Sequence, residues 1–175
     1  MANPVCSYDL PFHHYRYDPL DIRLKEKDME PLIELKDLEY SYPYATPALS
    51  GISLCIRKGE KIALVGSNGA GKSTLLLTLN GTIRPDKGSI IFQGKPVSYD
   101  RTSLRKIRQK IGFVFQDPDV QIIAPTVWQD VAFGPVNLDY TDEQVRQSVT
   151  DALHNVGMEG FEKRPPYHLS GGEKK

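Results

Sequence analysis

Residues 66–74 are of the types that bind phosphate groups, and their order fits the pattern G-x-x-x-x-G-K-[ST]. The mostly apolar residues 61–65 before them predict a strand, and residues 75–79 after them predict a helix. Glycines let the backbone wrap an anion with its N–H groups pointing inward. The helix N-terminus and Lys72 add positive charge, and the Ser73 hydroxyl can hold Mg²⁺. The stretch therefore predicts a site for a nucleoside triphosphate, formed by Gly66, Ser67, Asn68, Gly69, Ala70, Gly71, Lys72, Ser73 and Thr74.

The alternative for this stretch is a glycine turn at the start of an ordinary core helix. The fixed positions of the pattern match by chance in under roughly one chain in a hundred of this length. The phosphate-binding interpretation is therefore the stronger of the two.

The composition limits the partners that the chain can have. Its 175 residues carry 22 Lys and Arg against 22 Asp and Glu, and this balance gives no electrostatic reason to expect nucleic-acid binding. Cys6 and Cys55 are far apart and match no metal-binding or redox spacing, which favours a reducing, cytosolic setting. No stretch approaches the roughly 18 apolar residues that a membrane span needs. The length predicts one domain.

The residue pattern divides the chain into an N-terminal extension, residues 1–29, and a domain, residues 30–175. Prolines interrupt every short apolar group of the extension, which predicts poor order, and Met29 is an alternative start. His13 and His14 lack carboxylate or Cys partners at ligand spacing, so a metal site there is a weak alternative. Short stretches typical of strands predict strands over 32–35, 38–42 and 89–92, and alternating apolar residues predict another over 49–56.

Helices are predicted in the second half of the chain. Residues 104–109 predict a basic helix with solvated charges, and residues 126–133 predict a helix that ends before Gly134-Pro135. A capping box from Thr141 to Gln144 opens a further helix that ends at Gly157. The apolar stripe of that helix predicts core packing and consists of Val145, Val149, Ala152, Leu153 and Val156.

The apolar run of residues 111–115 predicts a buried strand that leads into Gln116 and Asp117. Taken by residue type, an apolar strand that ends near an acid can be the strand that supports Mg²⁺ in a phosphate-binding enzyme. Gln116 intervenes, however, and Pro118 stands where a second acid is expected. Both interpretations remain open at this point.

A second chemically distinctive stretch consists of Leu169, Ser170, Gly171, Gly172 and Glu173. Ser170 and Glu173 have the spacing of a capping box, and the two glycines between them open a helix N-terminus. A plain helix cap is the alternative. The sequence ends at Lys175, about one turn after that cap, whereas isolated helices below about 12–15 residues are marginal. We therefore expect the chain to be truncated.

The phosphate-binding pattern, Gln116 and the motif of residues 169–173 occur in an order that resembles the ABC ATPase family over about residues 30–175. Within that family, residues 121–122, 125–135 and 137–138 resemble the ATP-binding subunits of energy-coupling-factor and cobalt or nickel importers. The resemblance implies an α/β fold, namely a P-loop NTPase domain of the ABC type whose C-terminal part is missing. Such a domain has a β-rich lead-in, a partial parallel core sheet and a helical subdomain.

The resemblance also implies roles for residues of the first half. Tyr42 resembles the aromatic residue that stacks on adenine, with Tyr40 and Tyr44 as alternatives. Lys72 resembles the lysine that contacts the β- and γ-phosphates, and Ser73 resembles the Mg²⁺ ligand.

Two further roles are implied for the second half. Gln116 resembles the glutamine that contacts the metal and the attacking water, and this replaces the carboxylate-strand interpretation. It leads into a segment that touches membrane subunits. Residues 169–173 resemble the signature loop, which closes over the γ-phosphate of ATP held by the opposite protomer.

The implied assembly is a homodimer or a heterodimer with two ATP molecules at its interface, with ATP and Mg²⁺ as cofactors. Its expected partners are integral membrane transporter subunits at the cytoplasmic face of the cell membrane, and its expected activity is the import of a metal ion or a vitamin. No nucleic-acid partner is expected.

The sequence departs from the family after the signature. The family continues into a strand that ends in Asp and Glu and into a switch His, and none of these follows here. Negligible hydrolysis is therefore expected, and missing strands would leave an apolar sheet edge that lowers solubility. Two alternatives stay open, namely a non-hydrolysing module that pairs with a complete homologue and a non-functional product of a truncated gene.

Overall fold

The computed structural model describes residues 31–44 and 46–175. The chain divides into two compact units, of which the first ends at Gly112 and the second spans Phe113–Lys175. The predicted extension of residues 1–29 and the histidines His13 and His14 lie outside the described residues.

The first unit is built on a four-stranded sheet with the order β2-β1-β3-β4, in which every neighbouring pair is antiparallel. The two predicted strands 32–35 and 38–42 form one continuous strand, because the chain passes Asp37 with a φ of 48° and a register shift. The Asp37 backbone N–H donates to the Ser53 hydroxyl of the neighbouring strand at 2.9 Å, which holds this irregularity in the sheet. The strands are β1 Pro31–Ser41, β2 Pro47–Arg57, β3 Lys87–Phe92 and β4 Lys95–Pro96.

The core of the first unit lies on one face of this sheet. Leu38 is fully buried at the centre, and Leu75 joins the core from α1 (Lys72–Leu79), the helix that follows the glycine-rich loop. A second helix, α2 (Arg101–Arg108), buries only Ile107 and leaves its basic residues outward, as predicted. The sheet therefore supports the start of α1 from one side.

Two segments predicted as strands, residues 61–65 and 111–115, are not strands in the structure. A strand exists only when its backbone groups pair with a neighbour, and within the described residues neither segment does so. Val65 is 94% exposed. The α/β class is confirmed, but the partial parallel core sheet is absent from the described part of the chain, whose sheet is antiparallel.

The second unit is helical. Its two helices, α3 (Val127–Asn137) and α4 (Asp142–Asn155), pack through a core of Val127, Ala132, Val145, Val149 and Leu153. Three positions of the predicted α4 stripe are buried, whereas Ala152 and Val156 are exposed.

The predicted end of α3 at Gly134-Pro135 is wrong, because the helix continues to Asn137. Proline crowds the Cβ of the residue before it, and Gly134 has none. Pro135 removes one helical donor, but the Leu138 N–H still bonds to the Gly134 and Pro135 carbonyls at 3.2 and 3.1 Å. The proline is therefore tolerated in the last turn.

The capping box predicted for α4 is confirmed. The Gln144 N–H donates to the Thr141 hydroxyl at 3.3 Å, and the Thr141 N–H donates to Gln144 Oε1 at 2.9 Å. The helix ends as predicted at Gly157, which has a φ of 70°.

Thr141→Ala is expected to destabilise the second unit by about 1 kcal/mol, because it removes the acceptor for a backbone N–H at the helix start. Urea unfolding followed by helical circular dichroism measures the loss. Thr150→Ala is the matched control, since Thr150 is an exposed residue within the same helix. An equal loss in both variants would contradict the role of the cap.

Candidate nucleotide-binding site

The glycine-rich loop turns sharply into α1 at Gly71, which has a φ of 82°. A Cβ at Gly71 would lie 2.2 Å from the Ala48 carbonyl oxygen of β2, so only glycine fits between the loop and the sheet. The Leu75 N–H bonds to the Gly71 carbonyl at 2.8 Å and starts the helix. This close approach fixes the helix N-terminus against the sheet.

The Lys72 ammonium lies within the loop. Its Nζ donates to the carbonyl oxygens of Gly66 and Ser67 at 2.8 and 2.7 Å. A positive charge thus lies beside the helix N-terminus, whose dipole also favours an anion. The arrangement suits a phosphate group, which would accept hydrogen bonds both from the ammonium and from the N–H groups of the loop.

The Ser73 hydroxyl is the candidate contact for a metal ion. Ser73 is exposed, and its side-chain hydroxyl bonds to none of the described residues. Across residues 31–44 and 46–175 no group of His, Cys, Asp and Glu side chains could hold a metal on its own. A single free hydroxyl beside a phosphate site fits Mg²⁺ that arrives with a triphosphate, because Mg²⁺ keeps phosphate and water oxygens as most of its ligands.

Tyr42 lies beside the start of α1. Its hydroxyl is 3.3 Å from the hydroxyl of Thr74, which is buried, and its ring meets the Tyr40 ring edge-on with 5.0 Å between the centroids. The Tyr42 side chain stays 41% exposed and can offer a ring face to a base, whereas Tyr44 has no such contact with α1. Tyr42 and Thr74 are 32 positions apart in the chain, so local sequence patterns could not predict this contact.

Gln116 lies in the second unit, on an exposed segment that contains hydrogen bonds between its own residues. The Phe115 N–H donates to Gln121 Oε1 at 3.2 Å, and the Asp119 N–H donates to Asp117 Oδ1 at 3.0 Å. Residues Pro118–Val120 between these bonds form one short helical turn. Sequence reasoning missed Gln121, whose side chain closes the loop around Gln116.

Asp130 at the start of α3 is a further residue that sequence reasoning missed. Its Oδ1 accepts from the backbone N–H groups of Ile123 and Ala124 at 2.9 and 3.1 Å. The carboxylate ties the end of the segment that contains Gln116 to the helix. An acidic residue in the first turn of the helix, four residues after the N-cap Thr126, is the signal that would have found it.

The motif of residues 169–173 forms a reciprocally bonded turn. The Ser170 N–H donates to Glu173 Oε2 at 2.7 Å, and the Glu173 N–H donates to the Ser170 hydroxyl at 3.4 Å. Gly171 and Gly172 are exposed, with nothing within 4 Å of an added Cβ. The turn leaves a glycine surface that a large anion can approach.

The pKa of Glu173 lies below its ordinary value of 4.5, because the Ser170 side chain and backbone donate to the carboxylate. A carboxylate with a lowered folded-state pKa stabilises the turn above pH 4.5, and that contribution is lost as the pH falls through the lowered pKa. We expect the NMR shift of the Ser170 amide proton to titrate with that midpoint. In Glu173→Gln, whose amide accepts the same bond without titrating, the curve should be flat; an unchanged curve would contradict the assignment.

The predicted site residues fall into two groups. Tyr42 and residues 66–74 belong to the first unit, and Gln116 and residues 169–173 belong to the second.

A glycine loop that places a lysine ammonium at a helix N-terminus defines a P-loop nucleotide-binding domain. The family described as "ABC transporter" has a model that matches residues 49–175, and the chain belongs to this family.

Curated relatives support the same family. The chain is 86% identical over 147 residues to "Energy-coupling factor transporter ATP-binding protein EcfA2" of Methanospirillum hungatei JF-1, covering 84% of this chain and 37% of the relative. It is 55% identical over 144 residues to "Energy-coupling factor transporter ATP-binding protein EcfA" of Methanothermobacter thermautotrophicus, covering 82% and 46%. The chain therefore spans between a third and a half of the length of these relatives.

Solved structures show the same fold. CbiO1 of Clostridium perfringens, described as part of the ABC transporter complex cbiONQ, has a TM-score of 0.72 at 42% identity, with 82% of this chain and 57% of that chain covered. A dimeric bacterial ABC transporter cassette, MJ0796, has a TM-score of 0.70 at 29% identity, with 81% and 65% covered. None of the helices in the described part of the chain is long and apolar enough to cross a bilayer.

Proposed function

We propose that the chain is the ATP-binding, energy-coupling part of an ABC importer for a metal ion or a vitamin. The observation that carries the proposal is the Lys72 ammonium held by the Gly66 and Ser67 carbonyls at the N-terminus of α1. The relatives named for energy-coupling-factor transport support the importer class.

Each residue of the first unit has one task in nucleotide binding. Lys72 exchanges its two carbonyl acceptors for oxygens of the β- and γ-phosphates, and the loop N–H groups surround those phosphates. Ser73 offers its hydroxyl to Mg²⁺, which neutralises phosphate charge. Tyr42 stacks its exposed ring face on adenine.

The second unit supplies the groups that respond to bound nucleotide. Gln116 positions water and Mg²⁺, and the glycine turn of residues 169–173 closes over ATP held by another protomer. ATP then holds two protomers together, and its loss separates them, so that opening and closing can move a transported substrate through membrane subunits. The MJ0796 cassette, solved as a dimer, supports this arrangement.

We propose that a polypeptide of residues 1–175 binds ATP but hydrolyses it only slowly. The family's Asp–Glu pair that follows the signature has no counterpart within them. Mixing the polypeptide with a full-length homologue tests the alternative of a non-hydrolysing module. A mixed dimer that hydrolyses ATP would favour that alternative.

The proposed place of action is the cytoplasmic face of the cell membrane, where the protein associates with integral membrane subunits. The exposed apolar residues Val120 and Ile123, which follow Gln116, are the proposed contact with those subunits, because large exposed apolar side chains close together mark an interaction surface. No nucleic-acid partner is proposed.

Affinity purification of the tagged protein from detergent-solubilised native membranes tests this proposal. We expect integral membrane transport proteins to co-purify, and Ile123→Asp to reduce their yield about tenfold by placing a charge in the contact. Val156→Asp is the matched control, because Val156 is 67% exposed in the same unit and lies outside the proposed contact. Co-purification of soluble or nucleic-acid-binding proteins alone would contradict the proposal.

A further inference from the structure

An ion pair joins the segment that contains Gln116 to the signature turn. The Lys174 ammonium donates to Asp119 Oδ1 at 2.7 Å, although the two residues are 55 positions apart in the chain. The Lys174 side chain is 15% exposed, and Asp119 is its only acceptor among the described residues. The contact is therefore specific, since the lysine is largely covered and has no second partner there.

Both ends of the ion pair are fixed in braced segments. Asp119 lies in the short helical turn Pro118–Val120, which the bond between the Phe115 N–H and Gln121 Oε1 closes. Lys174 follows the reciprocal bonds between Ser170 and Glu173, and its own N–H donates to the Ser170 carbonyl at 3.1 Å. Because hydrogen bonds hold each segment together, we expect a displacement of one segment to displace the other through the ion pair.

The strength of the pair suits a contact that forms and breaks. Asp119 is 65% exposed, so water screens the attraction and the carboxylate can be hydrated when the pair opens. Lys174 is less accessible and loses its acceptor on opening. The pair therefore favours one arrangement of the two segments without locking it.

We propose that Asp119 and Lys174 are positioning residues, which set the placement of the segment that contains Gln116 according to the state of the signature turn. Neither Asp119 nor Lys174 is proposed to touch nucleotide. The role of this ion pair in transport rests on the proposed function, whereas the ion pair itself is a contact within the second unit.

Hydrogen–deuterium exchange of the full 175-residue chain, without nucleotide, tests the link. We expect Lys174→Gln and Asp119→Asn each to speed exchange across residues 115–121 by about fivefold, which corresponds to the loss of one partly exposed ion pair. Lys174→Arg, and the charge-swapped double variant Asp119→Lys with Lys174→Asp, should bring exchange back to within about twofold of wild type.

The pair of His154 Nδ1 and Glu159 Oε1, at 2.5 Å and exposed in the same unit, gives the matched control. Glu159→Gln should leave exchange across residues 115–121 unchanged, and protection of α4 should stay intact in every variant. Unchanged exchange in Lys174→Gln, or no recovery in the charge-swapped variant, would overturn the link. Failure of the proposed function would be seen separately, as absence of ATP binding in the wild-type chain.

Discussion

Lys72→Met is expected to lower the affinity of the chain for MgATP by about 100-fold or more. The ammonium lies in the loop beside the helix N-terminus and bonds to the Gly66 and Ser67 carbonyls. Charge-assisted hydrogen bonds each contribute about 1.5–3 kcal/mol, and about 1.4 kcal/mol is a factor of ten in affinity. Competition with a fluorescent ATP analogue measures the change.

The matched control for this substitution is Lys61→Met. Lys61 is an exposed lysine of the same unit that lies outside the loop. Lys61→Met changes the net charge by the same amount as Lys72→Met, so the control separates a local contact of Lys72 from a general electrostatic effect. Affinity of Lys61→Met within twofold of wild type is expected; an equal loss in both variants would mean that Lys72 has no specific contact with phosphate.

Gly71→Ala is expected to destabilise the first unit by about 3 kcal/mol and to abolish ATP binding, because a clash with backbone forces the loop away from the sheet. The added Cβ would lie 2.2 Å from the Ala48 carbonyl oxygen, and the φ of 82° is itself unfavourable for alanine. Urea unfolding and the ATP competition assay measure the two effects.

Gly69→Ala separates the clash from the backbone strain. Gly69 has a φ of 83°, almost the same as Gly71, but nothing lies within 4 Å of an added Cβ. Only the cost of the left-handed conformation remains, about 1–2 kcal/mol. Equal destabilisation by both substitutions would show that the approach of Gly71 to β2 is not what fixes the loop.

Local sequence patterns predicted the parts of this protein that depend on near neighbours. The start of a helix after the glycine loop and the reciprocal hydrogen bonds of Thr141 and Ser170 involve residues a few positions apart, and each forms as expected. Strands β1, β2 and β3 were also predictable from their short apolar stretches, whereas the two-residue strand β4 was not predicted.

Most of the predictions that were wrong concern structure that depends on partners distant in the chain. Residues 61–65 and 111–115 have apolar sequences, but a strand also needs a neighbour with which to pair, and the pattern carries no information about that neighbour. The same limit applies to the contact of Tyr42 with Thr74 and to the ion pair of Asp119 with Lys174. The prediction that a helix ends before Gly134-Pro135 was wrong for a different reason. Proline usually clashes with the Cβ of the residue before it, and Gly134 has no Cβ.

The most direct test of nucleotide binding at the phosphate loop is a calorimetric titration of the 175-residue chain with ATP in the presence of Mg²⁺. We expect one ATP bound per chain, and binding weaker by about 100-fold or more in Lys72→Met. A folded wild-type chain that binds no ATP at millimolar concentration, or that binds it equally well after the Lys72→Met substitution, would contradict the account.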